Sequence, residues 1–412
     1  MSSNVKRQLK LAKTAIIVFG MISLFGDIIY EGARSSIPTY LELLATPAVI
    51  VGVAIGLGEF IGYALRLASG YIADATKTYW GLTIIGYGLI ISIPLLALAY
   101  DWRLAVILVI VERLGKAIRT PARDTLISVT TRGIGRGKAF GLHELFDQIG
   151  ATLGPLLMTL AVYYFSKRQM SPPQQFRMAF MLLVIPYVIM LCVIMGGYLK
   201  LRGPTKEALI EARAVERGEK LSRKFYYYST AVMLNTAGLF HFALILYIAT
   251  GILKATLWLI PLIYLVIQGV DAVSAPLAGV AYDRYGMGVL RLPFILSILP
   301  TFFVMLMYAE EMLSPIAMVL LASVSFGVVL GMQESIYRAA VADLTGISKR
   351  GLGYGVFNTM YGLGFLISGA VFGIIIDLAK TRPTYMFYAV IYTLILQLIA
   401  IIMLVKATRT KP

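Results

Sequence analysis

An ionised side chain in hydrocarbon needs a partner or water. That constraint bears hardest on residues 14–41, an apolar run that nevertheless carries Asp27, Glu31 and Arg34. At ~1.5 Å per residue, a helix of this length exceeds the ~30 Å thickness of bilayer hydrocarbon. The three charged residues stand at i, i+4 and i+7 and so share one helix face. A charge at bilayer depth costs ~2.5 kcal/mol or more on insertion scales, so the face must look into a protein interior or a wet cavity. The stretch from Gly26 to Arg34 therefore reads as the first wall of a transport pathway.

The rest of the chain agrees with a membrane solvent. Of 412 residues, 59% are hydrophobic and 14% charged, where soluble domains carry ~25% charged residues. Mean hydropathy is +0.81, so the chain reads as a polytopic membrane protein. The single cysteine, Cys192, lies in an apolar segment, so disulfides have no part in the architecture and thiolate metal ligation has too few ligands. Residues 1–13 are polar and basic with no small-residue cleavage site, and the run behind them is too long for a signal-peptide core, so it reads as a retained first span.

Apolar runs bounded by charge or turn residues fall near 14–41, 47–73, 79–100, 103–122, 139–165 and 177–199, then near 226–251, 254–280, 287–308, 313–337, 352–378 and 384–405. If the amino terminus is inside, the outward segments hold only Arg103, Lys167, Arg168, Arg177, Lys254, Lys380 and Arg382, and most of the 37 Lys and Arg lie on inward connections. That asymmetry places both termini in the cytoplasm. It also accounts for the formal charge of +16 through anionic lipid, without nucleic acid. The polar stretch 201–224 reads as a tether or interfacial helix, with Thr205 after Pro204 as a cap, separating a six-span bundle at 1–200 from another at 225–412. The halves repeat: Arg136-Gly137 pairs with Arg350-Gly351, Gly150 with Gly364, Asp124 with Asp343, and Gly70-x-x-x-Asp74 with Gly279-x-x-x-Asp283-Arg284. Internal duplication with a site at the repeat interface is how secondary transporters are built.

Gly70 and Gly279 permit close helix approach, while Asp74 and Asp283 can accept bonds from a helix amino end or a basic residue. This pattern resembles the signature loop of the major facilitator superfamily, and the resemblance covers the whole chain, although Ala75-Thr76-Lys77 replaces the usual basic cluster. Gly141-x8-Gly150-x3-Gly154-Pro155 is similar to the motif of that superfamily's proton-driven antiporters, with Met158 in place of its last glycine. Close, dry packing there would prevent leak, and Pro155 would bend the span. Arg113 looks like the superfamily's span-four arginine, which is associated with proton coupling. Arg119, Arg123 and Asp124 read as an inner-face ion network.

Acids read as buried in the spans are Asp27, Glu31, Glu59, Glu112, Glu144, Asp147, Asp271 and Glu334, outnumbering Arg34, Arg66 and Arg113, with Arg338 at the inner edge. Desolvation would move such acids toward proton exchange, with Asp27 the foremost proton carrier, Asp147, Glu31 and Asp271 following it, and Arg34 and Arg113 the bases whose attraction protonation would weaken. The bland alternative for each is a fixed ion pair, such as Glu31 with Arg34. Glu112, Glu144, Asn235, His241, Gln268, Asp271, Glu334, Asn358 and Tyr361 are expected to line a substrate cavity. His241 could titrate near neutral pH, but a lone histidine on an apolar helix is more often hydrogen-bonded structure. No cluster has metal-site spacing, no Walker-type loop supports ATP-driven transport, and no nucleophile–base set supports an enzyme.

The sequence thus predicts an all-α polytopic membrane protein: twelve transmembrane helices in two pseudo-symmetric six-helix bundles, monomeric, in the cell membrane and without a cofactor. Its expected work is proton-coupled efflux of a small cationic or neutral lipophilic organic solute. A proton-coupled uptake symporter, or a divalent metal-ion exporter resembling ferroportins, remains open.

Overall fold

The computed structural model describes residues 3–131, 136–210, 221–308, 314–345 and 350–409, and among these every regular element is helical. The helices are α1 (Ser3–Arg34), α2 (Ile37–Leu43), α3 (Ala48–Thr76), α4 (Tyr79–Gly88), α5 (Trp102–Thr130), α6 (Arg136–Ser166), α7 (Pro172–Leu182) and α8 (Val184–Ile210). They continue as α9 (Arg223–Ala237), α10 (Phe242–Ile252), α11 (Leu259–Tyr285), α12 (Arg291–Leu296), α13 (Ile298–Leu306), α14 (Pro315–Leu344), α15 (Arg350–Ala379) and α16 (Met386–Arg409).

Local chemistry sets many of the boundaries. Asp101 caps α5, its carboxylate accepting from the Arg103 N–H at 2.7 Å, and Ser222 caps α9 through the Phe225 N–H at 3.2 Å. Ser171 and Gln174 form a capping box at α7, where Pro172 costs no hydrogen bond. Gly286 ends α11 with φ of +63°, a left-handed conformation that a side chain would strain.

Among the described residues, ten helical segments are long and apolar enough to cross a membrane. The sequence suggested twelve, and the difference falls in two places. Leu259–Leu306 is one segment of 48 residues, at ~1.5 Å each more than twice the ~30 Å hydrocarbon thickness, and the chain turns within it at Gly286. Helix α5 has 29 residues but is loaded with Glu112, Arg113, Lys116, Arg119, Arg123 and Asp124, too many charges to register as an apolar span.

The chain forms two compact units. One comprises Met1–Arg34 with Leu65–Val215, the other Ser35–Ala64 with Glu216–Pro412. In the first, α1 lies along α6 and α4 along α5. Helix α8 does not stop where the polar stretch begins. It runs on to Ile210, burying Leu201 and Thr205, and the Trp80 indole donates to the Thr205 hydroxyl at 3.0 Å. Thr205 is therefore mid-helix and not a cap. Residues 211–220 of the expected tether lie outside the described residues.

The second unit is built around Asn235. Its amide donates to Ser297 Oγ at 3.0 Å and Gln397 Oε1 at 2.7 Å, while its oxygen accepts from Gln333 Nε2 at 3.1 Å and the Tyr337 hydroxyl at 2.6 Å. Tyr361 donates to Gln333 Oε1 at 2.9 Å, and Gln397 Nε2 returns a bond to the Asn235 carbonyl at 3.0 Å. All six side chains are buried. A network with its donors and acceptors satisfied fixes one packing of these helices.

Candidate functional site

The groups read as proton-coupling all fall in the first unit, on three helices packed against one another: Asp27, Glu31 and Arg34 on α1, Arg113 on α5 and Asp147 on α6. What lets α6 approach α1 so closely is absence of side chain. A Cβ added to Gly150 would lie 2.5 Å from the Leu24 carbonyl oxygen and 2.8 Å from Asp27 Cβ; one added to Gly154 would lie 2.6 Å from the Ile28 oxygen. The second and third glycines of the motif therefore form the bed on which the Asp27–Glu31 face of α1 rests. A Cβ on Gly141 would meet open space.

Asp27, Glu31, Glu112, Arg113 and Arg119 are buried, and Asp147 is partly so. Arg34 Nη1 donates to Glu31 Oε1 at 3.2 Å. Glu112 serves two cations, with Arg113 Nε 3.5 Å from one oxygen and Arg119 Nη2 3.3 Å from the other. Arg119 also donates to the Gly86 carbonyl at 3.3 Å. Arg123 grips Asp124 at 2.9 and 3.0 Å and reaches Ser23 at 3.4 Å and the Tyr87 hydroxyl at 3.3 Å. Asp27 feels Asp147 and Glu31 as like charges, and Lys116 and Arg123 as opposite ones. The result is several acids and several bases within mutual reach, not a set of isolated pairs.

Three participants were not singled out from the sequence. His143 is buried with Nδ1 3.3 Å from Asp147 Oδ1, and neither ring nitrogen has a hydrogen-bond partner among the described residues. The i, i+4 spacing to Asp147 was the available signal. The Lys116 ammonium lies over the Tyr30 ring, 4.2 Å from its centroid, a cation–π contact that also lets Tyr30 shape the charged face.

The expected cavity residues fall in both units, Glu112 and Glu144 in the first and the others in the second. Glu144 is exposed and accepts from Gln148 at 3.1 Å, and Glu334 is exposed on α14, so neither is the buried acid expected of it. The misreading has one cause: hydropathy of a run locates a helix but not the face a residue takes. In the second unit, Asn235 and Tyr361 belong to the buried network, and His241 caps α10 by accepting the Ala243 N–H on Nδ1 at 3.3 Å. Asp271 is buried on α11, while Gln268 and Asn358 are half-buried.

Of the gating residues, Gly70 packs at Pro121, Asp74 accepts from the Tyr79 hydroxyl at 2.8 Å, and Gly279 faces Ser335. Asp343 accepts from the Tyr282 hydroxyl at 2.8 Å, leaving Asp283 and Arg284 exposed. Pro155 lies within α6, where its missing N–H leaves the Ala151 carbonyl without its helical donor, and Thr159 back-bonds to the Pro155 oxygen at 2.9 Å one turn on.

Comparison with known proteins places this architecture. The family model described as Major Facilitator Superfamily matches residues 35–310 and 270–412. An uncharacterised protein of Mycobacterium tuberculosis is 32% identical over 408 residues, covering 96% of this chain and 94% of its own. Multidrug resistance protein MdtH of Photorhabdus laumondii is 29% identical over 128 residues, 30% of this chain and 31% of its own. The crystal structure of the nucleoside transporter NupG superposes with a TM-score of 0.72 at 11% identity, covering 96% of this chain and 100% of that one. Helical membrane segments, a duplicated glycine–aspartate loop and a family match along most of the chain give one conclusion: this protein belongs to the major facilitator superfamily and is a membrane transporter.

Proposed function

We propose that the protein is a proton-coupled antiporter that exports a small cationic or neutral lipophilic organic solute by alternating access, as a monomer with twelve spans and both termini on the cytoplasmic side of the cell membrane. The observation that carries this reading is the set of buried Asp27 and Glu31 on α1 with half-buried Asp147 on α6, close to Arg34, Lys116 and Arg123.

Exchange requires one group that holds either a proton or the influence of a substrate, not both. Like-charged carboxylates in a desolvated site cannot all stay ionised at low cost, so a proton is retained until a positive charge arrives. A cationic solute, or movement of Lys116 or Arg123 toward Asp27, would supply that charge and expel the proton. Protonation would in turn weaken the hold of the bases on α1 and favour the opposite access state. The glycine bed keeps α6 against α1 while this happens, so the charge change reaches α6 as a shift of a packed pair and not as a gap. The local similarity to a multidrug resistance protein supports an organic, outward-moved solute.

Reconstituted protein carries the test. An imposed proton gradient should drive counterflow of a bound organic cation, and Asp27→Asn should still bind it but lose the dependence on the gradient. Gradient-driven uptake in the same direction as protons would replace this reading with symport. Flux of a divalent metal ion without organic flux would replace it with metal export.

A further inference from the structure

Helix α3 begins without a local cap. Pro47 precedes it, the Thr46 hydroxyl is buried with no hydrogen-bond partner among the described residues, and the first two N–H groups are satisfied from far along the chain. Asp377, on the last turn of α15, accepts the Ala48 N–H on one carboxylate oxygen and the Val49 N–H on the other, both at 2.9 Å. An anion there meets both orphan donors and the positive end of the helix dipole.

Further bonds tie the same corner of the second unit. Lys380 donates to Asp377 Oδ1 and to the Tyr247 hydroxyl, each at 2.9 Å, and Tyr247 donates to the Thr46 carbonyl at 2.8 Å. The hydroxyls of Thr39 and Thr250 are 3.1 Å apart. Deeper along α3 and α15 the seam is backbone against backbone. Gly52 meets Gly369, and a Cβ on Gly373 would lie 2.7 Å from the Ala48 oxygen. Between these glycines backbone meets backbone with little side chain to disengage, the Tyr63 and Tyr361 rings meeting edge-on 5.3 Å apart farther along, and lipid offers no hydrophobic force to hold the seam shut.

Topology gives the contact its consequence. Ser35–Ala64 packs within the second unit, yet α1 ends in the first unit and α3 re-enters it at Leu65. We propose that Asp377 is a removable helix cap: a latch that holds Ser35–Ala64 on the second unit in the state described, and lets go when the carrier opens on the side bearing residues 44–47. The inference rests on the alternating-access reading but on neither proton coupling nor substrate identity. The duplicated glycine–aspartate loops play no part in it.

The test needs no substrate. In sealed vesicles, Val51→Cys, buried in the wild type, is labelled with a membrane-impermeant maleimide in a Cys192→Ser background. Asp377→Ala should raise the labelling rate on the order of tenfold, the effect of losing a charged cap, and Asp377→Asn, which keeps one neutral acceptor, should fall between. An unchanged rate in Asp377→Ala overturns the latch. Should that variant fold poorly, Thr39→Cys with Thr250→Cys gives a second arm on an intact cap, with the label at position 51 read separately by peptide mass so that the two added thiols do not count: oxidation should hold that labelling at its slowest and reduction should restore it. Equal labelling of the oxidised and reduced forms also overturns it. Loss of gradient-driven exchange with latch behaviour intact would count against the antiport reading alone.

Discussion

Replacing Gly150 by alanine asks the α1–α6 contact to accept an atom it has no room for. The new Cβ would stand 2.5 Å from the Leu24 carbonyl oxygen, against an ordinary van der Waals approach of 3.4 Å, so the helices must part by roughly 0.9 Å. The obstructing atom is backbone, which cannot swing aside. Overpacking of this kind costs about 1–3 kcal/mol, and alanine's better helix propensity returns about 1 kcal/mol. Gly141→Ala supplies the control, since it is the same change on the same helix, gains the same propensity and meets open space. The two variants should therefore differ by about 1–3 kcal/mol, Gly150→Ala being the weaker. Thermal unfolding in one detergent at one scan rate reads the difference. The gap pushes Asp27 away from α6, so Gly150→Ala should also blunt gradient dependence while Gly141→Ala leaves it alone. Equal stability and equal coupling in the pair would refute the idea that this glycine seats the acid.

Other consequences can be checked on the same material. Asn235→Leu removes the partner of Gln397 Oε1, Gln333 Nε2 and the Tyr337 hydroxyl at once, and with buried orphans at ~1–3 kcal/mol each the loss should be about 3 kcal/mol or more, seen as early unfolding by circular dichroism. Glu112→Gln leaves Arg113 and Arg119 buried beside a neutral group and should destabilise by about 3–5 kcal/mol, whereas pairing it with Arg119→Met should recover part of that loss in a double-mutant cycle. Burial alone would lower the Lys380 ammonium, but hydrogen bonds to Tyr247 and Asp377 carry it above its ordinary 10.5. Its contribution is thus complete below that value and fades only as pH rises through the raised one, so the maleimide rate at Val51→Cys, divided by the rate of the same cysteine in unfolded protein at each pH to remove the growth in thiolate, should stay flat across the neutral range.

Much of this could be seen in the residues beforehand, and the reason is periodicity. Asp27, Glu31 and Arg34 announce a charged face because helix spacing puts them there, and Gly150 and Gly154 announce close packing because only a tight contact needs two bare positions one turn apart. The partner of that glycine pair, α1, was beyond reach: nothing local to residues 141–155 states which helix will lie on them. The same gap hid Asp377, whose role depends on N–H groups more than 300 positions earlier. Hydropathy failed in a different way at Glu144 and Glu334, where an apolar run was right about the helix and silent about the exposed side. At Thr205, a proline–threonine pair suggested a helix start, but burial of Leu201 and the bond from Trp80 kept α8 going through it. Asn235 looked like a polar residue facing solvent or ligand, and it became the hub of a closed network because four partners from other helices exhausted its hydrogen-bonding capacity.

Proton release on ligand addition is the most direct measurement of the coupling claim. Purified protein in weakly buffered detergent with a soluble pH indicator, given the organic cation found by flux screening, should acidify the medium in proportion to the protein, and Asp27→Asn should bind the same ligand with the signal abolished. Wild-type binding without any release of protons, or undiminished release from Asp27→Asn, would contradict the assignment of coupling to the α1 carboxylate.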